Sequence, residues 1–492
     1  MRPSLHYRFF EVIPAIVVWT TLIGSVVLSF TAPIIALYAI IAFDLYWLFR
    51  VTYFVFYLLI AWRRYREHVS IAWDKRLHAS SLPWRTIIHC IFLPTYKEPI
   101  SVIRKTLQAL STVRYDTKHF LIILAGEERD REHFLKIAET LQHEFQGVFF
   151  DFLVTLHPRN LPDEIPGKGS NLHYAGEKVQ EYIDAKHIAY SDCIVSTFDI
   201  DTIVHPQYFS YLTYIYCSTP DRQRVSYQPV ALYNNNIWES NVFIRVASFG
   251  TTFWLMTELV RPERLFTFSS HSMSWQALVD VGFWEKRIVT EDSRIFLQGL
   301  IHYQGNYRVQ PLYIPVSMNT VMVDSLWRSL VNLYKQQRRW AWGIEHFPYM
   351  LWHFFFQKNT IPRSTKFFYL WNLGEGMFSW ATAPLLIFVL GRFPFWFAGD
   401  ALQKSALYHN TPFVLESLLR LAMIGIFVSA ILSLLLLPPH PGKRHPFSSL
   451  IMLVQWILLP VTIILFGSIP AIEAQTRLAL GKKLGFWVTE KT

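Results

Sequence analysis

At 492 residues the chain is longer than one ordinary domain. It is 52% hydrophobic and 16% aromatic with only 17% charged residues, well under the roughly one quarter charged of soluble domains, which argues against a wholly soluble chain. The net charge of +10 suits an anionic membrane surface or a phosphate-bearing ligand, and beside the long apolar runs nucleic acid is not an expected partner. Cys90, Cys193 and Cys217 are too widely spaced for a disulfide framework or a cysteine metal site.

Residues 12–30 form an apolar run of the roughly 20 residues that span a bilayer. A second run begins at once near Pro33 and continues to about Trp62. With no small-residue cleavage site between them, residues 1–62 predict a hairpin of membrane helices and not a signal peptide. Arg50 is placed to snorkel to the interface. Asp44 lies deeper, where an acid either serves function or belongs to helix packing. The cluster Arg63, Arg64 and Arg66, extended by Lys75, Arg76 and Arg85, puts this side in the cytoplasm.

Residues 63–344 hold most of the charge and no membrane-length apolar run, so they read as a cytosolic domain. Strands are predicted at 87–93, 120–124, 148–154 and 193–198, and helices at 100–110, from about 129, and at 170–185. This alternation predicts a parallel, Rossmann-like α/β sheet, with ligands at the carboxyl ends of its strands. Residues 345–362 then form an aromatic-rich interfacial helix. Residues 363–480 make a second membrane region, with helices at 367–390 and 413–437 and a third candidate at 450–469, interrupted by Pro460. A full third crossing would carry the tail, with Arg477, Lys482, Lys483 and Lys491, outside, against the positive-inside rule. The segment 450–469 is therefore predicted to bend back near Pro460, where a backbone donor is missing.

Four clusters have chemical potential. In Pro94-Thr95-Tyr96-Lys97-Glu98-Pro99, after the first strand, Tyr96 can stack on a base and Glu98 can accept from ribose hydroxyls; an ordinary proline-bounded turn fits equally. Asp199 and Asp201, one residue apart at a strand end, suit a hard divalent cation such as Mg²⁺ or Mn²⁺, or a solvated acidic turn. In Thr290-Glu291-Asp292 one acid can serve as a general base, and the same residues make a good helix cap. Gln336, Arg339 and Trp340 share one helix face, where Arg339 can fork onto a phosphate and Trp340 can carry a sugar ring. A juxtamembrane basic-aromatic anchor is the alternative.

In this order, and flanked by membrane helices, the separated aspartates and the Q-x-x-R-W run at 336–340 resemble the membrane-bound family 2 glycosyltransferases, the group that contains cellulose and hyaluronan synthases. The resemblance runs from about residue 87 to the carboxyl end. It implies a GT-A fold and inverting transfer from a nucleotide-diphosphate sugar, most simply a UDP-sugar, with a divalent metal and β-glycosidic products. It further implies Asp201 at the metal, Asp199 at the donor and Asp292 as the base. Glu291, Gln336 and Trp340 would be at the acceptor, and Arg339 at the diphosphate. The stretch Gly167-Lys168-Gly169-Ser170-Asn171 resembles the family's Lys–Gly–Asn run and implies Lys168 and Asn171 in the nucleotide pocket, beside Thr95, Tyr96 and Glu98. The tail at 481–492, with Phe486-Trp487-Val488-Thr489-Glu490-Lys491, resembles the F-x-V-T-x-K gating loop of cellulose synthases and brings Thr489 and Lys491 to the donor.

Two departures stand out. The acidic pair usual after the second strand is replaced by Gly126-Glu127-Glu128-Arg129-Asp130, which leaves Glu127 to recognise the base. The acceptor loop reads Ser269-Ser270-His271-Ser272-Met273-Ser274. No cyclic-dinucleotide-binding domain is expected after the tail. The expected acceptor is a growing polysaccharide. The alternatives are single-sugar transfer to a lipid carrier or glycolipid and, in another class, a transporter or receptor with a degenerate nucleotide-binding domain, against which the intact acids argue.

Overall fold

The computed structural model describes residues 5–440 and 447–485. Helices α1 (Leu5–Thr31) and α2 (Pro33–Ser70) form the expected hairpin. Pro33 sits in the first turn of α2, where its missing N–H leaves no helical bond unmade. α2 continues unbroken for 38 residues, well past its predicted end near Trp62. Its last turns grip the α/β domain: the Arg64 guanidinium donates to the Tyr313 hydroxyl at 2.5 Å, and the His68 ring lies 5.5 Å from that of Tyr211. Arg50 pairs with Glu375 of the second helical region at 3.1 Å. A short helix α3 (Trp73–His78) then stacks Trp73 on Tyr211 at 4.1 Å.

The α/β domain is built on eight strands: β1 (Ile88–Pro94), β2 (Phe120–Glu127), β3 (Asp151–His157), β4 (Cys193–Thr197), β5 (Ile203–Val204), β6 (Val225–Tyr233), β7 (Ser272–Ser274) and β8 (Arg308–Met318). They lie in the order β3-β2-β1-β4-β7-β6-β8-β5. The half made by β1 to β4 is parallel, as predicted, and β1, β2 and β4 are buried almost throughout, as befits strands covered on both faces. β3 starts later than expected because a turn at Gly147, with φ of +70°, lengthens the preceding loop. The second half was not foreseen: β7 inserts antiparallel between β4 and β6, β8 pairs parallel with β6, and β5 closes the edge antiparallel to β8.

Helices α4 (Ile100–Ser111), α5 (Arg131–Glu144), α6 (Lys168–Ala185), α7 (Tyr208–Ser218), α8 (Val242–Leu259), α9 (Trp275–Asp280) and α10 (Glu291–His302) surround the sheet. α4 shows the pattern that holds them there, burying Val102, Ile103, Leu107 and Leu110 at helical spacing. The apolar α8, also unforeseen, lies between β6 and α2 and so joins the sheet to the amino-terminal hairpin.

After the domain come α11 (Leu326–Ala341), α12 (His346–Phe355), α13 (Arg363–Phe388), α14 (Phe393–Trp396), α15 (Asp400–Gln403), α16 (Ala406–Leu435), α17 (Ser448–Val454), α18 (Leu459–Ile463) and α19 (Ile469–Ala479). Four helical stretches among the described residues are long and apolar enough to cross a membrane: Leu5–Thr31, Pro33–Ser70, Ala406–Leu435 and Ser449–Ala479. The predicted span at 367–390 reaches that standard only together with the turn beyond it, across a bend of 42°.

The fold-back expected at Pro460 is not made. Residues 449–479 run on through α, 3₁₀ and π turns as one helical stretch, and Pro460 opens α18 directly after the 3₁₀ turn Gln455–Leu458, where the regular helical ladder is already changed. Contacts near the start and at the end of this stretch tie it to other helices. Trp456 lies 5.9 Å from Phe253 of α8, and Ala479 accepts from the Arg8 guanidinium at 2.8 Å.

Candidate active site

Three segments converge at the carboxyl end of β4. Asp199 follows that strand, Lys168 opens α6, and Glu291 and Asp292 occupy the first turn of α10. The Lys168 ammonium donates to Asp199 Oδ1 at 3.0 Å and to both oxygens of Asp292 at 3.0 and 2.8 Å; Glu291 Oε1 lies 3.6 Å away. Burial on its own would depress the Lys168 pKa, but Asp199, Asp292 and Glu291 outweigh it and hold the ammonium well above its usual range. Glu291 is 1% exposed. Burial, then the neighbouring Asp292, push its carboxyl up to about 7, against the pull of Lys168 and Arg339. Gly169 permits this gathering, since a Cβ there would lie 2.9 Å from the Glu285 carbonyl oxygen and 3.3 Å from Glu291 Cβ.

Asp199 also accepts from Ser269 Oγ at 2.8 Å through its second oxygen. His271 is buried behind the site with Nδ1 2.9 Å from the Phe268 carbonyl and 4.0 Å from Asp292. Burial lowers its pKa, so the ring faces Asp292 as a neutral imidazole whose Nδ1–H donates to Phe268. Asp201 is 3% exposed and accepts from the Asn319 backbone N–H at 2.9 Å. Tyr233, at the carboxyl end of β6, sits among Asp199, Asp201, Asp292 and Arg339; burial and then Asp199 raise its hydroxyl pKa. Its ring lies 5.7 Å from that of Trp340.

On α11, Gln336, Arg339 and Trp340 face one cavity together, as their spacing predicted, and Gln337 joins them. Arg338 turns away to Glu473 of α19 at 2.6 Å, where Tyr334 and Arg477 also bind. The cavity has a volume of about 1200 Å³. Lys168, Asp199, Tyr233 and Asp292 form its inner end, and it extends between α2, α8, α13 and α16. Glu291 and Asn171 do not line it. Glu291 lies beneath Lys168, and Asn171 is buried with its amide donating to the Ala125 carbonyl at 2.8 Å.

The predicted nucleotide turn stands apart from the cavity, at the ends of β1 and β2. Glu98 is engaged within its own turn, accepting from Thr95 Oγ1 at 2.8 Å and from the Tyr96 N–H at 2.5 Å. Arg129, which the sequence did not single out, covers the Tyr96 ring at 4.3 Å and binds Glu127 at 2.9 Å. The ring face expected to meet a base therefore already carries a guanidinium. Burial raises the Glu127 pKa, and Arg129 opposes it. Thr489 and Lys491 lie outside the described residues.

Thr290 was expected to cap α10, but its hydroxyl donates instead to Glu345 at 2.7 Å. Ser293 meets His346 at 2.8 Å, and the Arg294 guanidinium lies 3.7 Å over the Tyr349 ring. The helix that carries Asp292 is thus tied to α12.

The donor chemistry suits an oxygen-ligated cation. Asp199 lines the cavity, with Lys168 and Ser269 on its two oxygens, and Asp201 is buried off the cavity wall with one oxygen on the Asn319 N–H; Mg²⁺ and similar ions bind through one or two carboxylates completed by substrate phosphates. Among the described residues no three His, Cys, Asp or Glu side chains gather into a metal cage of their own.

The mixed sheet, with acids at its strand ends and apolar helices joined to it, has a GT-A-like glycosyltransferase fold. Residues 194–471 match the family described as glycosyl transferase family group 2, over more than half of the chain, and the chain belongs to that family. A search of curated proteins returns no match. Solved structures similar to the chain include the mannosyltransferase PcManGT from Pyrobaculum calidifontis in complex with GDP-Man and Mn²⁺, 14% identical, covering 80% of this chain and 99% of that one with a TM-score of 0.44. A second is residues 1–349 of S. aureus TarS in complex with UDP-GlcNAc, 11% identical, covering 70% and 90% with a TM-score of 0.37. A third is glucosyl-3-phosphoglycerate synthase from Mycobacterium tuberculosis with Mn²⁺, UDP and phosphoglyceric acid, 14% identical, covering 55% and 80% with a TM-score of 0.31.

Proposed function

We propose that this glycosyltransferase is a multi-pass membrane enzyme that takes a sugar from a nucleotide-diphosphate sugar, a UDP-sugar in the first instance, and transfers it with inversion to an acceptor hydroxyl. Its catalytic domain faces the cytoplasm. The observation that supports this most is the junction of Asp199, Lys168 and Asp292 at the inner end of the cavity that Arg339 and Trp340 also line.

Asp292 keeps 21% of its side chain exposed and opens on the cavity, where it takes the proton of the attacking hydroxyl. Lys168 and Arg339 bring positive charge to the departing diphosphate. Trp340, braced by Tyr233, gives the sugar a flat apolar platform. Thr95, Tyr96, Glu98 and Glu127 recognise the nucleoside once Arg129 gives way, and Thr489 and Lys491 reach the donor from the tail. A divalent cation held by Asp199 and Asp201 would neutralise the leaving diphosphate. Inversion turns an α-linked donor into a β-glycoside.

Two acceptors are compatible with an Asp292 that opens on this cavity. The resemblance to cellulose and hyaluronan synthases implies the end of a polysaccharide, and the apolar wall favours a lipid. Membranes containing the chain are to be incubated with a panel of radiolabelled nucleotide sugars. Transfer from one donor, lost on adding EDTA and restored by Mg²⁺ or Mn²⁺, is expected. Transfer that persists in EDTA would remove the metal from the scheme, and transfer from no donor would remove the activity.

A further inference from the structure

The cavity is larger than the chemistry at its inner end requires. Its volume of about 1200 Å³ exceeds the roughly 300–1,000 Å³ of ordinary small-ligand sites. Away from the acids its wall is formed by such side chains as Val51, Phe54, Pro384, Ile387, Ile426 and Trp456. A sugar chain threaded there would leave most of its hydroxyls without partners, which is unfavourable in an apolar surrounding. An alkyl chain has no such need.

The cavity is not closed off all round. Met423, Phe427 and Ile457 line it and are 60%, 66% and 76% exposed. α16 packs along α2 and α17, whereas α13 packs on the Ile464–Ser468 turn, α1, α12 and α19 and more lightly on α2 and α18; among the described residues no extended contact joins α13 to α16. Two glycines widen the space, Gly250 on α8 and Gly376 on α13. Both line the cavity, and a Cβ added at either meets no heavy atom within 4 Å. Asp44 also lines the wall, and the cationic side chains there are engaged with acids: Arg50 with Glu375 at 3.1 Å, and Arg261 and Arg264 with Glu258, the latter at 3.1 Å. They do not amount to a ready seat for a phosphate.

We propose that the acceptor is an amphipathic lipid with a hydroxyl-bearing head group, which enters from the hydrocarbon layer between α13 and α16, lays its chain in the cavity and presents its hydroxyl to Asp292. This rests on the glycosyl-transfer reading given above. In the step the lipid oxygen bonds to the anomeric carbon as the bond from that carbon to the diphosphate oxygen breaks. The bonding pair leaves with the nucleoside diphosphate, and the hydroxyl proton passes to Asp292.

The full chain, reconstituted in vesicles made from the total lipid extract of its expression membrane, is to be given radiolabelled nucleotide sugars. Label is then followed into an organic-solvent phase, an ethanol-insoluble polymer fraction and free sugar. Label is expected in the organic phase as a product carrying a single sugar. Gly376→Phe, and independently Gly250→Phe on another helix, should each lower the ratio of lipid product to donor hydrolysis by about tenfold or more by overfilling the cavity, while Gly376→Ala retains most of it. Label confined to ethanol-insoluble polymer, or donor hydrolysis with no organic-phase label, would overturn the lipid acceptor and leave a glycosyltransferase. Parental ratios in both Phe variants would also overturn it. Turnover of no donor would overturn both readings.

Discussion

Lys168 is a cation whose loss would leave the acids of the site facing one another. Breaking a fully buried pair costs about 3–5 kcal/mol, and less here, because the Asp199 and Asp292 side chains keep 26% and 21% exposure. Lys168→Met should therefore lower the unfolding temperature and abolish transfer, with Mg²⁺ or Mn²⁺ recovering part of the stability by settling beside Asp199. Unchanged unfolding by differential scanning fluorimetry would show that the ammonium holds nothing together. Asp292→Asn should slow transfer by about 10²–10⁴-fold, the usual worth of a general base, with donor affinity nearly unchanged; loss of affinity in equal measure would make Asp292 a binding residue instead. The acids themselves were legible from spacing and order along the chain. The bridging role of Lys168 was not, nor were Tyr233 and Ser269 as their neighbours. Those contacts depend on β7 lying antiparallel between β4 and β6, and local pattern carries no trace of that order.

Among the elements, the parallel strands were readable because each is a short apolar run closed by a turn. β6 and β8 were not, because Pro229 interrupts one and Pro311 and Pro315 the other; prolines remove ladder donors and weaken a strand signal. The sheet accommodates them with a register shift at Pro229/Val230. The joint between α10 and α12 has its own signature in pH. Burial pushes the Glu345 carboxyl from its ordinary 4.5 up to about 7, against Arg294 and the Thr290 hydroxyl. The folded state then holds a proton there that the unfolded chain has given up between about pH 4.5 and 7, so this part of the stability is full below that window and is lost as pH rises through it. His346, kept neutral by burial, works in the opposite direction below its ordinary 6.5. The expected outcome is therefore a difference: Glu345→Gln should lose less stability than the parent between pH 5 and pH 8 in matched thermal melts. Parallel curves would mean that Glu345 does not titrate in that window.

At the scale of the whole molecule, the division into hairpin, α/β domain and second helical region was legible in composition alone, because charge and long apolar runs hardly overlap along the chain. The course of 449–479 is not legible from Pro460, because a proline beside a 3₁₀ turn does not oblige a helical stretch to fold back; four crossings by the stretches long and apolar enough, an even number, would still return the tail to the side of the α/β domain. Deleting residues 486–492 should lower turnover without preventing membrane insertion, and a cysteine at 489 should react only with reagents that reach the cytoplasm, less so with UDP present. Labelling from outside intact cells would refute the cytoplasmic tail.

The unbroken α2 has a further consequence. At 1.5 Å per residue its 38 residues measure about 57 Å, and a bilayer's hydrocarbon takes only about 30 Å of such a length. The remainder ends in the grip of Tyr313 and Tyr211, so in the membrane enzyme proposed above α2 would act as a strut that fixes the altitude of Asp292 above the membrane. The enzyme would then select acceptors by depth as much as by chemistry, ignoring a suitable hydroxyl carried a few ångströms too high or too low. Four residues inserted after Trp62, adding about 6 Å and slightly more than one turn, should leave donor binding intact and put the acceptor out of reach.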